Sequence, residues 1–248
     1  MQINTTIIGY GTMGKAIAKA LLKNDKKVKI FTIDINKKEL VGIKKSDFII
    51  LAIKPQNATE VLKELRDFGL NKKTILISIM AGFPIKKILQ ISGHKKIIRM
   101  MPNLGLSVGA GIAAWKKVGL SKMENKKAKN FINNITENFE VKNEDVLDKV
   151  TALSGSGPAY FFSLANSLTK AGEKLGFTKI ESKKLVGKTL LASALLSQNG
   201  DYGELVQKVA SKGGTTESAL KVFKKRNFDK IILEAVSGAY KRAKELSR

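Results

Sequence analysis

A glycine-rich turn near the start of the chain limits the folds that are open to it. Residues 3–8, INTTII, have the β-branched composition of a strand, and Gly9-Tyr10-Gly11-Thr12-Met13-Gly14 follows without a break. Beyond the turn, apolar residues recur at helical spacing. A G-x-G-x-x-G turn between strand and helix is typical of dinucleotide binding, because its glycines let a pyrophosphate approach the backbone. We predict that Gly9, Gly11, Thr12, Met13 and Gly14 bind a dinucleotide; an ordinary glycine-rich turn is the alternative.

The rest of the first half alternates between strand-like and helical segments. Short apolar runs predict further strands over residues 28–33, 47–55, 74–82, 97–103 and 109–115. Residues 121–139 predict a helix, which Ser121 and Glu124 open as a capping box. Strands that alternate with helices favour an α/β fold, here an N-terminal Rossmann-type doubly wound sheet.

The second half carries helical spacing only. The predicted helices span residues 147–170, 182–198, 202–210, 216–225 and 229–246. The sequence therefore predicts a Rossmann domain over residues 1–145 and an all-α domain over residues 146–248. Wide apolar stripes in residues 185–196 and 231–243 predict that the helical domain packs against a partner chain.

Composition argues against several classes of protein. The net charge is +24, but 40 of the 45 basic residues are lysines spread along the chain, and arginine, the usual reader of bases and phosphates, is scarce. We expect no nucleic-acid partner. No apolar run reaches the ~18–20 residues of a membrane span, and no secretory signal is recognisable. The absence of cysteine excludes disulfides and thiolate chemistry. We expect a cytoplasmic protein without a metal site, with His94 in a surface loop and Trp115 in the core.

The end of the second predicted strand leaves the cofactor preference open. Asp34 lies where an acidic residue would bind the ribose 2′-hydroxyl of NAD. If the strand ended at Phe31, Thr32 with Lys37 and Lys38 would face the ribose and accept a 2′-phosphate. Asp34 as a plain helix N-cap is a third interpretation.

Two further small-residue segments interrupt the helical half. LSGSGPAYFF, residues 153–162, places small residues before a proline, and VASKGGTTESAL, residues 209–220, places two glycines between helices. Tight helix crossing and simple helix capping would account for them. The alternative is that backbone N–H groups are opened to an anionic ligand.

These segments together resemble the pyrroline-5-carboxylate reductase family, nearly from end to end. The motifs that carry the resemblance are IIGYGTMGKAIAKALL, LAIKPQ, SIMAG, IRMMPN, TALSGSGPAYFF and VASKGGTTESAL. The resemblance implies reduction of 1-pyrroline-5-carboxylate to L-proline by hydride transfer to the cyclic imine. It implies a nicotinamide cofactor and a homodimer, or a higher oligomer built from it, whose helical domains intertwine. The basic, hydroxyl-bearing segment around Thr32, Lys37 and Lys38 favours NADPH, with NADH as the alternative.

The resemblance also assigns roles to individual residues. It places the substrate carboxylate on the loop before the helix predicted over residues 216–225, and Thr216 as the catalytic hydroxyl at the ring nitrogen. The implied substrate-binding residues are Ser211, Gly213, Gly214, Thr215 and Thr216. It places the nicotinamide over two loops and near Asn103. Besides Thr32 and the G-x-G-x-x-G turn at residues 9–14, which we call the phosphate turn, the implied cofactor residues are Ala52, Ile53, Lys54, Pro55, Ala81, Gly82 and Asn103.

The sequence departs from the family pattern at several points. Lys212 stands for a usual proline, Thr12 for a usual asparagine, and Leu104-Gly105 for a usual Thr-Pro pair. Asp201-Tyr202 replaces a common His-Pro, and residues 35–46 are shorter than usual. These differences affect the cofactor preference and the shape of the substrate loop.

Two other functions compete with this interpretation. A 3-hydroxyacid dehydrogenase-like reductase would carry a catalytic lysine on a helix of the second domain, but Lys170 lies too far from the nearby glycines. A dinucleotide sensor or nucleic-acid module is suggested only by the charge. Hydride transfer to an imine needs an aligned cofactor, a fixed carboxylate and a donor at nitrogen, which suits this inventory of residues.

Overall fold

The structure, a computed structural model, describes residues 2–33 and 42–247. Within these ranges the strands are β1 (Ile3–Ile8), β2 (Val28–Ile33), β3 (Phe48–Leu51), β4 (Ile75–Ser78), β5 (Ile97–Pro102), β6 (Ile112–Val118) and β7 (Glu137–Glu140). They form one seven-stranded sheet in the order β2-β1-β3-β4-β5-β6-β7. The first five are parallel, β6 runs antiparallel to β5, and β7 runs parallel to β6.

Helices pack on both faces of this sheet, and more helices follow it along the chain. They are α1 (Thr12–Asn24), α2 (Ala58–Phe68), α3 (Ile85–Ser92), α4 (Lys122–Asn133), α5 (Asp145–Val150), α6 (Gly157–Lys174), α7 (Lys179–Leu196), α8 (Tyr202–Val209), α9 (Thr215–Lys225) and α10 (Phe228–Leu246). A π-helical turn, Thr151–Gly155, lies between α5 and α6. The Rossmann-type doubly wound sheet followed by helices, expected from the sequence, is confirmed.

The buried core lies on the two faces of the sheet. Because the central strands of a parallel sheet are covered on both faces, they are largely apolar, and every residue of β3 and β4 is buried. One cluster packs α1 and α4 on the sheet around Ile17, Ile50 and Phe131. The other packs α2 and α3 on the opposite face around Leu62 and Ile88.

Two predicted elements near the end of the sheet are wrong in extent. The predicted helix over residues 121–139 ends at Asn133, and residues 137–140 form β7 instead. Pairing of β7 with β6 gives those backbone groups partners at the sheet edge, which outweighs the local helical spacing. The strand predicted over residues 109–115 begins at Ile112 and runs to Val118, because it pairs along the whole of β5.

The sequence-based predictions of burial for Trp115 and of exposure for His94 had different outcomes. Trp115 is fully buried and its Nε1 donates to Asn138 at 2.9 Å, which confirms the core prediction. The prediction that His94 lies in an exposed loop is wrong. Only 8% of His94 is exposed, its Nε2 contacts the Thr74 carbonyl at 2.7 Å, and burial lowers its pKa. The loop is polar in sequence, but His94 packs against the start of β4, a central strand of the sheet.

The chain divides into two compact units. The first comprises Met1–Pro158 and Gly238–Arg248, and the second Ala159–Ser237. This division differs from the predicted boundary after residue 145, which stays a prediction. The end of α10 counts with the first unit because Ser247 and Tyr240 donate to Asp148 and Asp145. No helix within the described ranges is long and apolar enough to cross a membrane.

Candidate active site

The carboxyl ends of neighbouring parallel strands bring most of the predicted cofactor residues to one edge of the sheet. Gly9 follows β1, Ala52 follows β3, Ala81 lies beyond β4, and Asn103 follows β5. The strand order reverses at β1, between β2 and β3. In open α/β sheets, ligands bind in the crevice beside such a reversal. The described residues of the predicted cofactor set therefore share the edge where a dinucleotide is expected.

The three glycines of the phosphate turn have different surroundings. Gly9 has φ of +92°, and a Cβ there would lie 2.5 Å from the Ala52 carbonyl oxygen, so a side chain is excluded. Gly14 lies against the backbone of Gly9, where a Cβ would overlap the carbonyl oxygen. Gly11 has open space where its Cβ would be, and it is the N-cap residue of α1. The turn is thus closely packed at Gly9 and Gly14 and open at Gly11, as the approach of a phosphate requires.

The loop after β3 borders the phosphate turn. The Ala52 N–H donates to the Ile8 carbonyl at 2.8 Å, which continues the pairing of β1 with β3. Ile53 is buried against Gly9, whereas Lys54 is exposed. Pro55 then opens a short 3-10 turn that leads into α2. Lys54 is therefore the cation of this loop that solvent and a ligand can reach.

Gly82, in the loop after β4, is buried and has φ of +66°. A Cβ at this position would lie 3.0 Å from the backbone carbon of Leu246 and would overlap its Cβ. Glycine is needed here both by its backbone conformation and by this close approach. The predicted nicotinamide loop thus packs directly against the C-terminal turn of α10.

Both polar atoms of the Asn103 side-chain amide make hydrogen bonds. Its Oδ1 accepts from the Ile112 N–H at 3.3 Å, and its Nδ2 donates to the Ser154 Oγ at 3.2 Å. Ser154 belongs to the π turn, and such turns are frequent at functional sites. The π turn and the end of β5 therefore support each other at this edge of the sheet.

The end of β2 only partly decides which residues would contact the ribose of the cofactor. β2 continues through Thr32 to Ile33, so the condition that the strand ends at Phe31 is not met. Thr32 is exposed beside β1, paired in register with Ile7. Asp34, Lys37 and Lys38 lie outside the described residues, so the choice between them stays a prediction.

The predicted substrate loop lies in the second compact unit and forms a closed turn. The Gly214 N–H donates to the Ser211 carbonyl at 3.0 Å, and Gly213 has φ of +73°. Gly214 caps α9, and Thr215 and Thr216 form its first turn. The Gly213 N–H donates to the Glu217 carboxylate at 2.6 Å. Within the described part of the chain, the N–H groups of Thr215 and Thr216 have no acceptor, as is usual in a first helical turn.

Three contacts in these loops were not predicted from the sequence. They are Glu217 on Gly213, Ser154 on Asn103, and Leu246 on Gly82. A glutamate in the first turn of a helix is a recognisable capping signal, so Glu217 could have been found. The other two join residues far apart in sequence, which local patterns do not reveal. Within residues 2–33 and 42–247, no three His, Asp or Glu side chains stand close enough to hold a metal ion.

Comparisons with known proteins agree with this geometry. The sequence model described as "Pyrroline-5-carboxylate reductase dimerisation" matches residues 144–246, and that described as "NADP oxidoreductase coenzyme F420-dependent" matches residues 31–82. A curated pyrroline-5-carboxylate reductase from Aquifex aeolicus is 34% identical over 99% of this chain and 98% of its own length. One from Synechocystis is 32% identical over the whole of both.

Solved structures extend the likeness to the fold. A pyrroline carboxylate reductase from Plasmodium falciparum, solved with NADP bound, has a TM-score of 0.88 and 27% identity, covering 99% of this chain and 98% of its own. A pyrroline-5-carboxylate reductase from Coxiella burnetii has a TM-score of 0.85 and 31% identity over the whole of both chains. Both the sequence and the fold match over nearly the full length. This chain belongs to the pyrroline-5-carboxylate reductase family.

Proposed function

We propose that this protein reduces 1-pyrroline-5-carboxylate to L-proline with NADPH as the hydride donor. The observation that carries the proposal is the likeness to named pyrroline-5-carboxylate reductases over nearly the whole of both chains. The open phosphate turn at Gly11 supports the use of a dinucleotide. The closed turn before α9, with free first-turn N–H groups, supports binding of a carboxylate.

The residues at the sheet edge fit a bound NADPH. The first turn of α1 offers N–H groups to the pyrophosphate, and Gly11 leaves room for it. The loops at Ala52 and Gly82 would hold the nicotinamide end, together with Asn103. When bound, the cofactor supplies the hydride, and the protein supplies its orientation.

The residues before α9 would hold the substrate and manage its proton. The N–H groups of Thr215 and Thr216, with the Ser211 hydroxyl, would fix the carboxylate. The Thr216 hydroxyl would contact the ring nitrogen, which keeps its proton as the C=N double bond accepts the hydride at carbon. Because the iminium form already carries that proton, a strong general acid is not required. Alignment of the two reactants would contribute to the acceleration by bringing the cofactor and the imine carbon into reacting geometry.

The decisive measurement follows NADPH and NADH oxidation by the purified protein, with and without 1-pyrroline-5-carboxylate. We expect oxidation that depends on the imine, with both cofactors used and NADPH moderately preferred. A preference for NADH of about tenfold in kcat/KM, roughly 1.4 kcal/mol, would instead assign Asp34 to the ribose. Absence of imine-dependent oxidation with either cofactor would refute the proposed function.

We further propose that the protein is a homodimer, or a higher oligomer built from dimers. Large apolar side chains on the second unit's helices are exposed in the single chain, including Leu185, Leu191 and Leu195 on α7. The match to a dimerisation family over residues 144–246 supports a partner chain there. Light scattering should give at least twice the chain mass at dilute concentration; a fully active monomer would contradict it. Cytoplasmic location and the lack of a nucleic-acid partner stay predictions.

A further inference from the structure

The Glu217 carboxylate bridges the loop before α9 and the helix itself. Its Oε2 accepts from the Gly213 N–H at 2.6 Å, and its Oε1 pairs with the Lys221 Nζ at 3.0 Å. Glu217 is the third residue of α9, where a negative charge also interacts favourably with the helix dipole. The hydrogen bond from Gly213 and the charge of Lys221 lower the pKa of Glu217, so it is ionised at neutral pH.

This contact fixes the one residue of the loop that has an unusual backbone conformation. Gly213 has φ of +73°, a region that glycine enters and leaves freely. The neighbouring bond from Gly214 to Ser211 closes the turn at one side, and the bond from Gly213 to Glu217 closes it at the other. A bond to an ionised acceptor is shorter and stronger than one between neutral groups. Together the two bonds favour this conformation of the turn over others.

The same contact decides which N–H groups are open to a ligand. The donors of Gly213 and Gly214 are both engaged inside the loop, whereas those of Thr215 and Thr216 point from the free helix start. A substrate carboxylate would therefore meet a turn that is already ordered. Ordering a loop residue at the moment of binding would reduce the affinity, because each fixed backbone residue loses conformational entropy.

We propose that Glu217 is a positioning residue for the substrate carboxylate, acting through Gly213 and not by touching the substrate. This inference rests on the proposed function, since it names the carboxylate of 1-pyrroline-5-carboxylate as the ligand of the loop. The glutamate holds Gly213 in its left-handed conformation and so presents the Thr215 and Thr216 donors in a fixed direction.

The test compares three variants in steady-state kinetics. In Glu217→Ala we expect the KM for 1-pyrroline-5-carboxylate to rise about tenfold, the cost of ordering one free backbone residue, while the KM for NADPH stays unchanged. Glu217→Gln keeps an acceptor for Gly213 and should stay within about threefold of the wild type. The matched control is Glu234→Ala, which removes a glutamate from another i, i+4 pair, with Lys230 on α10; it should leave both KM values unchanged.

A second readout does not need turnover. The Gly213 amide proton should exchange slowly with solvent in the wild type and in Glu217→Gln, and rapidly in Glu217→Ala. An unchanged substrate KM in Glu217→Ala, a lowered one, or an equal rise in the KM for NADPH would overturn the positioning role. So would rapid exchange in the wild type. These outcomes differ from failure of the proposed function, in which the wild type itself does not oxidise NADPH with the imine.

Discussion

Each glycine of the phosphate turn has its own task, and the tasks can be separated by adding one methyl group. At Gly14 a methyl group would meet the Gly9 carbonyl oxygen under the turn, whereas at Gly11 it would meet open space. Gly11 has φ of −78°, which alanine adopts without strain. Gly14 is therefore needed for packing, whereas Gly11 is free to serve the cofactor binding that we propose.

We expect Gly14→Ala to reduce the free energy of unfolding by about 1–3 kcal/mol, because overpacking displaces backbone. Urea unfolding measures this loss.

Gly11→Ala should fold normally but weaken NADPH binding about tenfold, or about 1.4 kcal/mol. Fluorescence titration with NADPH measures this affinity. Normal NADPH affinity in Gly11→Ala would show that the cofactor does not approach this face of the turn.

Thr216 carries the proposed contact with the ring nitrogen. Because a hydrogen bond to a charged group contributes roughly 1.5–3 kcal/mol, Thr216→Ala should lower kcat/KM for the imine by roughly ten- to 150-fold. NADPH affinity should hardly change, since the proposed phosphate site lies at α1. Thr215→Ala is the matched control on the same helical turn. Loss of activity in Thr215→Ala but not in Thr216→Ala would assign the contact to the neighbouring hydroxyl.

At the scale of the element, α4 shows how one carboxylate can cap a helix and fasten it to the sheet. Glu124 accepts from the Ser121 N–H at 2.9 Å, and Ser121 Oγ accepts from the Glu124 N–H at 3.3 Å, which confirms the predicted capping box. The other Glu124 oxygen pairs with Lys96, just before β5. The Lys96 ammonium and the Ser121 N–H together lower the pKa of Glu124 from 4.5 to about 2.

Because the folded-state pKa lies below the ordinary value, Glu124 contributes stability above pH 4.5 and loses it as the pH falls toward 2. Glu124→Gln should therefore be less stable than the wild type at pH 7, by roughly 1 kcal/mol. The difference should shrink as the pH falls from 4.5 to 2. Thermal unfolding of both proteins across this range measures it; a difference that is constant with pH would exclude an electrostatic contribution.

At the scale of the whole molecule, a buried arginine joins elements from distant parts of the sequence. Arg99 on β5 is 1% exposed and donates to Glu144 at 2.9 Å and to Asp148 at 2.7 Å. Asp148 also accepts from the Ser247 hydroxyl, at the end of α10. The sheet, α5 and the C-terminus are thus held by one charged cluster, beside the point where Leu246 packs on Gly82.

Removing Arg99 deprives the Glu144 and Asp148 carboxylates of the cation that pairs with both. We expect Arg99→Met to reduce the free energy of unfolding by about 3–5 kcal/mol, as for other broken buried pairs. The matched control is Arg66→Met, because Arg66 pairs with Asp67 at the exposed surface; its cost should be at most about 1 kcal/mol. Equal losses in the two variants, measured by urea unfolding, would show that the cluster does not stabilise the fold.

Local patterns determined a large part of this protein. The bounds of β1 and β2, the phosphate turn, the α4 capping box and the glycine turn before α9 follow from the spacing of residues that lie next to one another in the chain. Such features depend on backbone conformation, capping and burial within one or two turns, so neighbouring residues specify them. The motifs in their order also sufficed to indicate the family.

Only the tertiary structure decided the features that depend on contacts between residues far apart in the sequence. Residues 137–140 have helical spacing, yet they form β7 because β6 offers them hydrogen-bond partners. His94 lies in a polar segment, yet it is buried, and its Nε2 lies within hydrogen-bond distance of the Thr74 carbonyl oxygen. The packing of Leu246 on Gly82 and the Arg99 cluster join positions about 50 to 160 residues apart. No local pattern encodes such contacts, because their energy exists only once the distant segments have met.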